Sequence, residues 1–162
     1  MTASSIDQNP RFRRLADYLA AKAPPGKLPG RQHIDPLEIP DLLSWIMLID
    51  VLPKPAGERR YRIRLMGTEV VAIQGADETG KYMEDVLTGD AGAEIVHHCD
   101  EMLLSHEPYY RRGVVATTGR EHVHYERIAF PLSSDGERVD MLILVFAKIE
   151  KPASSEGAPP AS

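Results

Sequence analysis

RQHIDPLEIPDLLSWIMLIDVLPKPAGERRYRIRLMGTEVVAIQGADETGKYMEDV, running from Arg31 to Val86, is the stretch whose reading decides the fold. Within it, Trp45 to Leu52 is a nearly continuous apolar run of strand length, as expected of a central strand covered on both faces. Tyr61, Ile63 and Leu65 then alternate with Arg60, Arg62 and Arg64, the pattern of a half-buried strand with a charged outer face. Those arginines have two readings: a solvated edge that discourages strand-to-strand aggregation, or a docking face for an acidic partner. Gly67-Thr68 closes the strand and opens a helical turn, and Gly75 to Gly80 reads as a loop. Upstream, Asp35 before Pro36, with Glu38 three residues on from Asp35, is a helix start whose carboxylates can take up free backbone amides. Pro40 limits that helix to about one turn.

Working outward toward the N-terminus, Asn9 followed by Pro10 supplies a cap and a preset first turn. Phe12, Leu15, Tyr18 and Leu19 recur at helical spacing, and Pro24-Pro25-Gly26 stops the helix, which the sequence places at 10–23. Arg11, Arg14, Asp17 and Lys22 occupy its other face, so one stripe is expected to be buried. Toward the C-terminus, Asp90 is placed to cap a helix running to about His106. On that helix Ile95, His98, Met102 and Leu103 share a stripe, whereas Glu94, His97 and Glu101 share another. Three strands are expected after it: Tyr109 to Ala116, His122 to Leu132 and Val139 to Glu150, with turns at Gly119 and at Asp135-Gly136. Residues 1–8 are polar and expected to be flexible, residues 9–150 form a single domain, and the Pro-, Ser- and Ala-rich stretch 151–162 is expected to be a disordered tail.

At 162 residues the chain has the size of one ordinary domain. Its net charge of −5 is spread along the chain, and a duplex-binding surface needs clustered positive charge, so nucleic acid is not an expected partner. Cys99, the single cysteine, has no intrachain partner for a disulfide, in keeping with a reducing compartment. The N-terminus has neither the basic start nor the apolar core of a signal peptide, and the longest apolar run, Met141 to Ala147, is far short of a membrane span. A cytoplasmic protein without membrane attachment is the expectation.

The order so assembled is helix, two strands, several short helices and three strands. It resembles the PAS fold, and more narrowly a family of small single-domain bacterial proteins first catalogued as of unknown function and later classed as PAS-like. The resemblance is carried by Arg31, Ile34-Asp35-Pro36 and Pro40 before the first strand, Asp50-Val51 at its end, and Tyr61-Arg62 with Gly67-Thr68 on the second strand and turn. Gly75, Asp77 and Thr79-Gly80 match the loop, and Tyr125-Glu126-Arg127 with Pro131-Leu132 match the fourth strand. It implies an α+β fold: a five-stranded antiparallel sheet with short helices on one face and an N-terminal amphipathic helix. It also implies a sensory module, since PAS domains as a class bind haem, flavins, small acids or nothing. Many dimerise through the helix before the sheet, a role that here would fall to Phe12, Leu15, Tyr18 and Leu19; the alternative is that these four only cover the sheet within one subunit.

Several motifs carry chemistry on paper. Gly75 to Lys81 has phosphate-loop spacing, but Tyr82 stands where a Ser or Thr should hold magnesium, and Asp77 and Glu78 would put negative charge inside the cradle. His122, His124 and Glu126 alternate, so on a strand they would share one face and could hold zinc or ferrous iron in a small metal-dependent enzyme. His98 sits where haem-binding PAS domains take their iron ligand, or is a buried imidazole satisfied by a hydrogen bond. The light-sensing flavin motif Gly-x-Asn-Cys-Arg-Phe-Leu-Gln does not occur, and Cys99 reads as a small buried apolar group. Ser105 and His106 are sequence neighbours and do not face each other on a helix, and no Gly-x-Ser-x-Gly elbow is present.

The sequence therefore predicts a non-enzymatic sensory or regulatory module with no cofactor specified. Its output would pass through a homodimer or a signalling partner, and a ligand-free interaction scaffold stands as an alternative. The pocket, between the long helix and the sheet, is expected to draw on Trp45, Tyr61, His98, Met102, Tyr110, His124 and Arg127, the last as an anchor for a carboxylate. Which face of the His122 to Phe130 strand lines it is left open by the pattern.

Overall fold

Asn9 begins the ordered architecture as the sequence suggests: its Oδ1 accepts from the backbone N–H of Arg11 at 2.9 Å, and Pro10 occupies the first turn. In the computed structural model, which describes residues 3–53, 60–115, 119–120 and 122–150, this opens helix α2, Pro10–Lys22. A short α1, Ala3–Ile6, precedes it in a stretch expected to be loose; Ile6 packs on the apolar cluster under α2, and Asp7 meets Arg13 at 2.5 Å. Three single 3-10 turns follow, at Arg31–His33, Pro36–Glu38 and Leu43–Trp45. Asp35 caps the second, accepting from Leu37 N–H at 3.0 Å, and Glu38 reaches back to α2, accepting from the Tyr18 hydroxyl at 2.7 Å and pairing with Lys22 at 2.8 Å.

The strands are β1, Ile46–Val51, β2, Tyr61–Met66, β3, Tyr109–Val114, β4, His124–Leu132, and β5, Met141–Ile149. They form one antiparallel sheet in the order β2-β1-β5-β4-β3, so the predominantly apolar β1 and β5 lie inside it, and β2 and β3, each carrying two arginines, form its edges. Between β2 and β3 run α3, Thr68–Gln74, α4, Met83–Val86, and α5, Gly89–Ser105. Residues 1–2, 54–59, 116–118, 121 and 151–162 lie outside the described residues, and with them the start of the expected flexible N-terminus, the expected C-terminal tail and the end of the Tyr109 to Ala116 strand.

Strand parity divides the core in two. Met47, Ile49, Ile63, Tyr125, Leu142 and Phe146 face α3 to α5, while Ile46, Leu48, Ile128, Phe130, Ile143 and Val145 face the opposite way. That second, outer face is covered by α2. Phe12 and Leu15 are fully buried there and Leu19 nearly so. The four side chains expected at a dimer interface, Phe12, Leu15, Tyr18 and Leu19, are thus already spent within the chain, because β4 and β5 present apolar residues on both faces and need covering on both. A further correction concerns α5. It starts at Gly89 after Thr88, and Asp90 lies in its first turn, where it complements the helix dipole without capping.

Candidate functional site

α3, α4 and α5 meet the inner sheet face around a cavity of about 110 Å3. Its walls are apolar, with Met47, Ile63 and Phe146 from the sheet and Met83, Val86 and Ile95 from the helices. Gly92 lets α5 approach: a Cβ there would lie 2.7 Å from the backbone carbon of Leu87, so any side chain would push the helix off the segment that closes the cavity. Polar groups are few, chiefly Gln74, Glu78, Thr88, Tyr125 and Arg127. Glu78 is engaged by Lys81 at 2.6 Å.

Arg127 is the unusual member of this lining. It is only 6% exposed, and its guanidinium makes no hydrogen bond or ion pair with any described residue; its nearest specific contact is the Phe146 ring, 5.9 Å from its central carbon. Register sharpens the point. Arg127 pairs directly with Arg111 across β3 and β4, so two guanidinium-bearing residues stand opposite each other on the inner face. Arg111 turns toward Glu94 on α5 at 3.7 Å. Like charges directly opposite on a sheet repel, and an anion placed between them would offset that repulsion. The Arg127 charge also acts on the buried Cys99 thiol. Burial still dominates and pushes that thiol up to about 11, so it is a neutral core group.

Of the seven residues expected in the pocket, the structure brings only Arg127 to the cavity. Tyr61 and Met102 are inner-core residues behind it; the Tyr61 hydroxyl donates to Asp100 Oδ1 at 2.5 Å, and burial, then that bond, holds it protonated. His98 flanks α5 instead of facing the core: the buried stripe is Ile95, Cys99 and Met102, while the imidazole stacks on Tyr109 at 4.4 Å and meets Glu101 at 2.9 Å. Trp45 ends a 3-10 turn and lies under the Arg11 guanidinium at 3.6 Å. Tyr110 and His124 are corrected by parity: Tyr110 pairs with Ile128, and His124 is an even-numbered member of β4, so both belong to the outer face. There the Tyr110 hydroxyl donates to buried Glu126 at 2.7 Å and is pushed up to about 12, by burial first and by that carboxylate second.

The same geometry disposes of three motif readings. Among the described residues no three His, Cys, Asp or Glu side chains gather at metal-ligand spacing: His122 lies in the turn before β4, out of the alternation, and Glu126 is taken by Tyr110. Haem does not fit, since the cavity is well below the few hundred Å3 of an ordinary ligand pocket and His98 does not line it. The Gly75 to Lys81 segment is a turn in which Asp77 accepts from the backbone N–H and hydroxyl of Thr79, leaving no cradle for phosphate. What sequence reasoning missed is Met47 and Met66 on the cavity wall beside Met83. Only parity relative to Arg127 could have pointed to Tyr125 beside them.

A five-stranded antiparallel sheet with helices closed over one face around a small cavity defines a single-sheet α+β module. A PAS domain family model matches residues 8–145, and the chain belongs to that family, whose members are sensory regulatory domains and whose fold is generally non-enzymatic. Solved structures with the same fold include the LOV protein of Rhodobacter sphaeroides, 13% identical with a TM-score of 0.52 over 76% of this chain and 73% of that one. The PAS domain of Bordetella pertussis BvgS is 19% identical, with a TM-score of 0.50 over 74% and 90%. A fungal LOV domain photoreceptor is 14% identical, with a TM-score of 0.50 over 85% and 90%. No curated protein matches the chain. Among the described residues no helix is long and apolar enough to cross a membrane.

Proposed function

We propose that the protein is a non-enzymatic sensor of a small organic anion, held in the inner cavity with its carboxylate on Arg127 and its apolar body among the methionines. The guanidinium-bearing Arg127, which lines the cavity and makes no hydrogen bond or ion pair with any described residue, carries this reading. A carboxylate there would accept charge-assisted hydrogen bonds and relieve the repulsion between Arg127 and Arg111. The size of the cavity favours a short-chain acid or a single small ring.

The outward route is short. Arg127 and Glu126 are consecutive on β4 and point to opposite faces, so a displacement of the strand by the ligand moves both. Glu126 holds the Tyr110 hydroxyl, and the Tyr110 ring meets Phe12 of α2 edge-on at 6.1 Å. A ligand that prefers one position of β4 therefore biases the seating of α2, which a second copy of the chain or a signalling partner could read.

The test uses native mass spectrometry of freshly purified protein against its denatured mass, with calorimetric titration of acetate, propionate, butyrate and benzoate. The wild type is expected to retain or bind one small acid, and Arg127→Met to bind none. Because the substitution removes one of the two like charges paired across β3 and β4, the ligand-free variant should be at least as stable as ligand-free wild type. A variant that binds acids as well as wild type, or one destabilised by about 3 kcal/mol as when a buried ion pair is broken, would show that Arg127 has a structural partner instead.

A further inference from the structure

We infer that the outer surface of β2 is a docking site for an acidic polypeptide segment, with Arg31, Arg62 and Arg64 as its cationic contacts and Leu65 as its apolar one. The inference does not depend on the inner cavity. α2 covers the outer face over β1, β5 and β4, but at β2 the outer side chains remain in solvent: those of Arg62 and Arg64 are 45% and 55% exposed, and Leu65 is 43% exposed.

A register shift assembles the cationic part. Leu65 pairs with Leu48, whereas Ile63 pairs with Ile49, so Arg64 is the extra residue of a β-bulge, and Arg62 stands opposite Asp50. Both guanidiniums consequently reach one carboxylate, Arg62 at 3.0 Å and Arg64 at 3.2 Å. An open groove of about 350 Å3 runs from this cluster to Arg31, Ser134 and Asp140.

Donor accounting fixes the partner's chemistry. Each guanidinium carries five N–H donors. Among the described residues, one nitrogen of Arg62 and one of Arg64 are used on Asp50, and one of Arg31 on the Ile34 carbonyl. The two carboxylates of the groove are already engaged, Asp50 by the arginines and Asp140 by the backbone N–H and hydroxyl of Ser134. Among the described residues the three guanidiniums thus carry more donors than their bonds to Asp50 and the Ile34 carbonyl use. Asp50, nearly buried, holds two of the donors in place before any partner arrives, which reduces the ordering cost of binding. Glu or Asp side chains meet guanidinium forks bidentately. A polypeptide fits better than a small anion, because the groove is open, its donors are spread from β2 to the Arg31 turn, and an exposed leucine adjoins them.

Fluorescence polarisation tests this on the full chain with a set of short labelled peptides carrying a leucine flanked by glutamates at different spacings. Lysine-for-glutamate versions and a single-stranded oligonucleotide serve as controls. At least one acidic peptide is expected to bind, more weakly as salt is raised. Arg64→Gln, which leaves Arg62 on Asp50, should weaken it about tenfold. The triple change Asp50→Asn, Arg62→Gln, Arg64→Gln leaves no buried charge unpaired and should abolish binding, while Arg127→Met leaves it intact. The proposal is overturned if no acidic peptide binds the wild type more tightly than about millimolar, if the variants bind as wild type does, or if the lysine peptide or the oligonucleotide binds equally well.

Discussion

Asp135 sits at the tip of the β4–β5 hairpin, and three donors converge on its Oδ1: the backbone N–H groups of Glu137 and Arg138 at 2.8 and 2.9 Å, and the Ser133 hydroxyl at 2.8 Å. Those bonds, the Arg138 amide first, hold the carboxyl at about 2, below its ordinary 3.8. A folded-state value below the unfolded one means that the carboxylate's stabilisation is complete above about pH 4 and is lost as pH falls through about 2. Urea unfolding midpoints measured from pH 5 downward should therefore fall through this window. In Asp135→Asn, which keeps an acceptor but cannot titrate, part of that fall should vanish. An identical pH profile for the two proteins would remove Asp135 from the turn's stability. This residue was legible in advance only as half of an Asp-Gly turn signal; the convergence of donors on one oxygen depends on backbone angles the signal does not specify.

At the scale of elements, α2 is the part for which the sequence left two readings side by side, a dimer interface or a cover for its own sheet. Its cap, its length and its buried stripe all follow from local chemistry, from Asn9 and Pro10 through Leu19 to the proline pair. Its partner does not: an amphipathic stripe looks the same whether it meets its own sheet or a second copy. Here it meets its own sheet, so Leu15→Ala should cost about 3 kcal/mol, with the general range for a buried leucine at 2–5. Chemical denaturation measures this directly. If the substitution instead left stability unchanged and altered only subunit number, α2 would be an intermolecular helix.

For the whole molecule, the decisive relation is between the two faces of the sheet. The inner face holds Arg127, the outer face holds Glu126 and Tyr110, and Phe12 ties that outer pair to α2. Tyr110→Phe removes the hydroxyl that links β3 to Glu126 while leaving the cavity untouched. It should preserve acid binding within about twofold yet reduce the ligand-dependent change in hydrogen exchange of amides 10–22, since coupling through a network is lost when one of its bonds is lost. Equal ligand-dependent protection in variant and wild type would mean that the signal leaves the cavity by another path, such as α5.

Local chemistry in the sequence determined the element order, the caps at Asn9 and Asp35 and the inner position of the apolar strands, because periodicity and turn residues act over a few neighbours, and that order is what resembles the PAS fold. It also placed Arg127 among the site candidates by residue type. Only the tertiary structure decided which partners each candidate has. His124 and Arg127 lie on one strand three residues apart, so no regular strand could bring both to one pocket, and the choice between them rests on which face α3 to α5 cover. The Arg62 and Arg64 pair became a cluster on Asp50 through a bulge whose position depends on the pairing with β1. Burial, register and the absence of a partner are properties of contacts between distant segments, and these exist only once the sheet has closed.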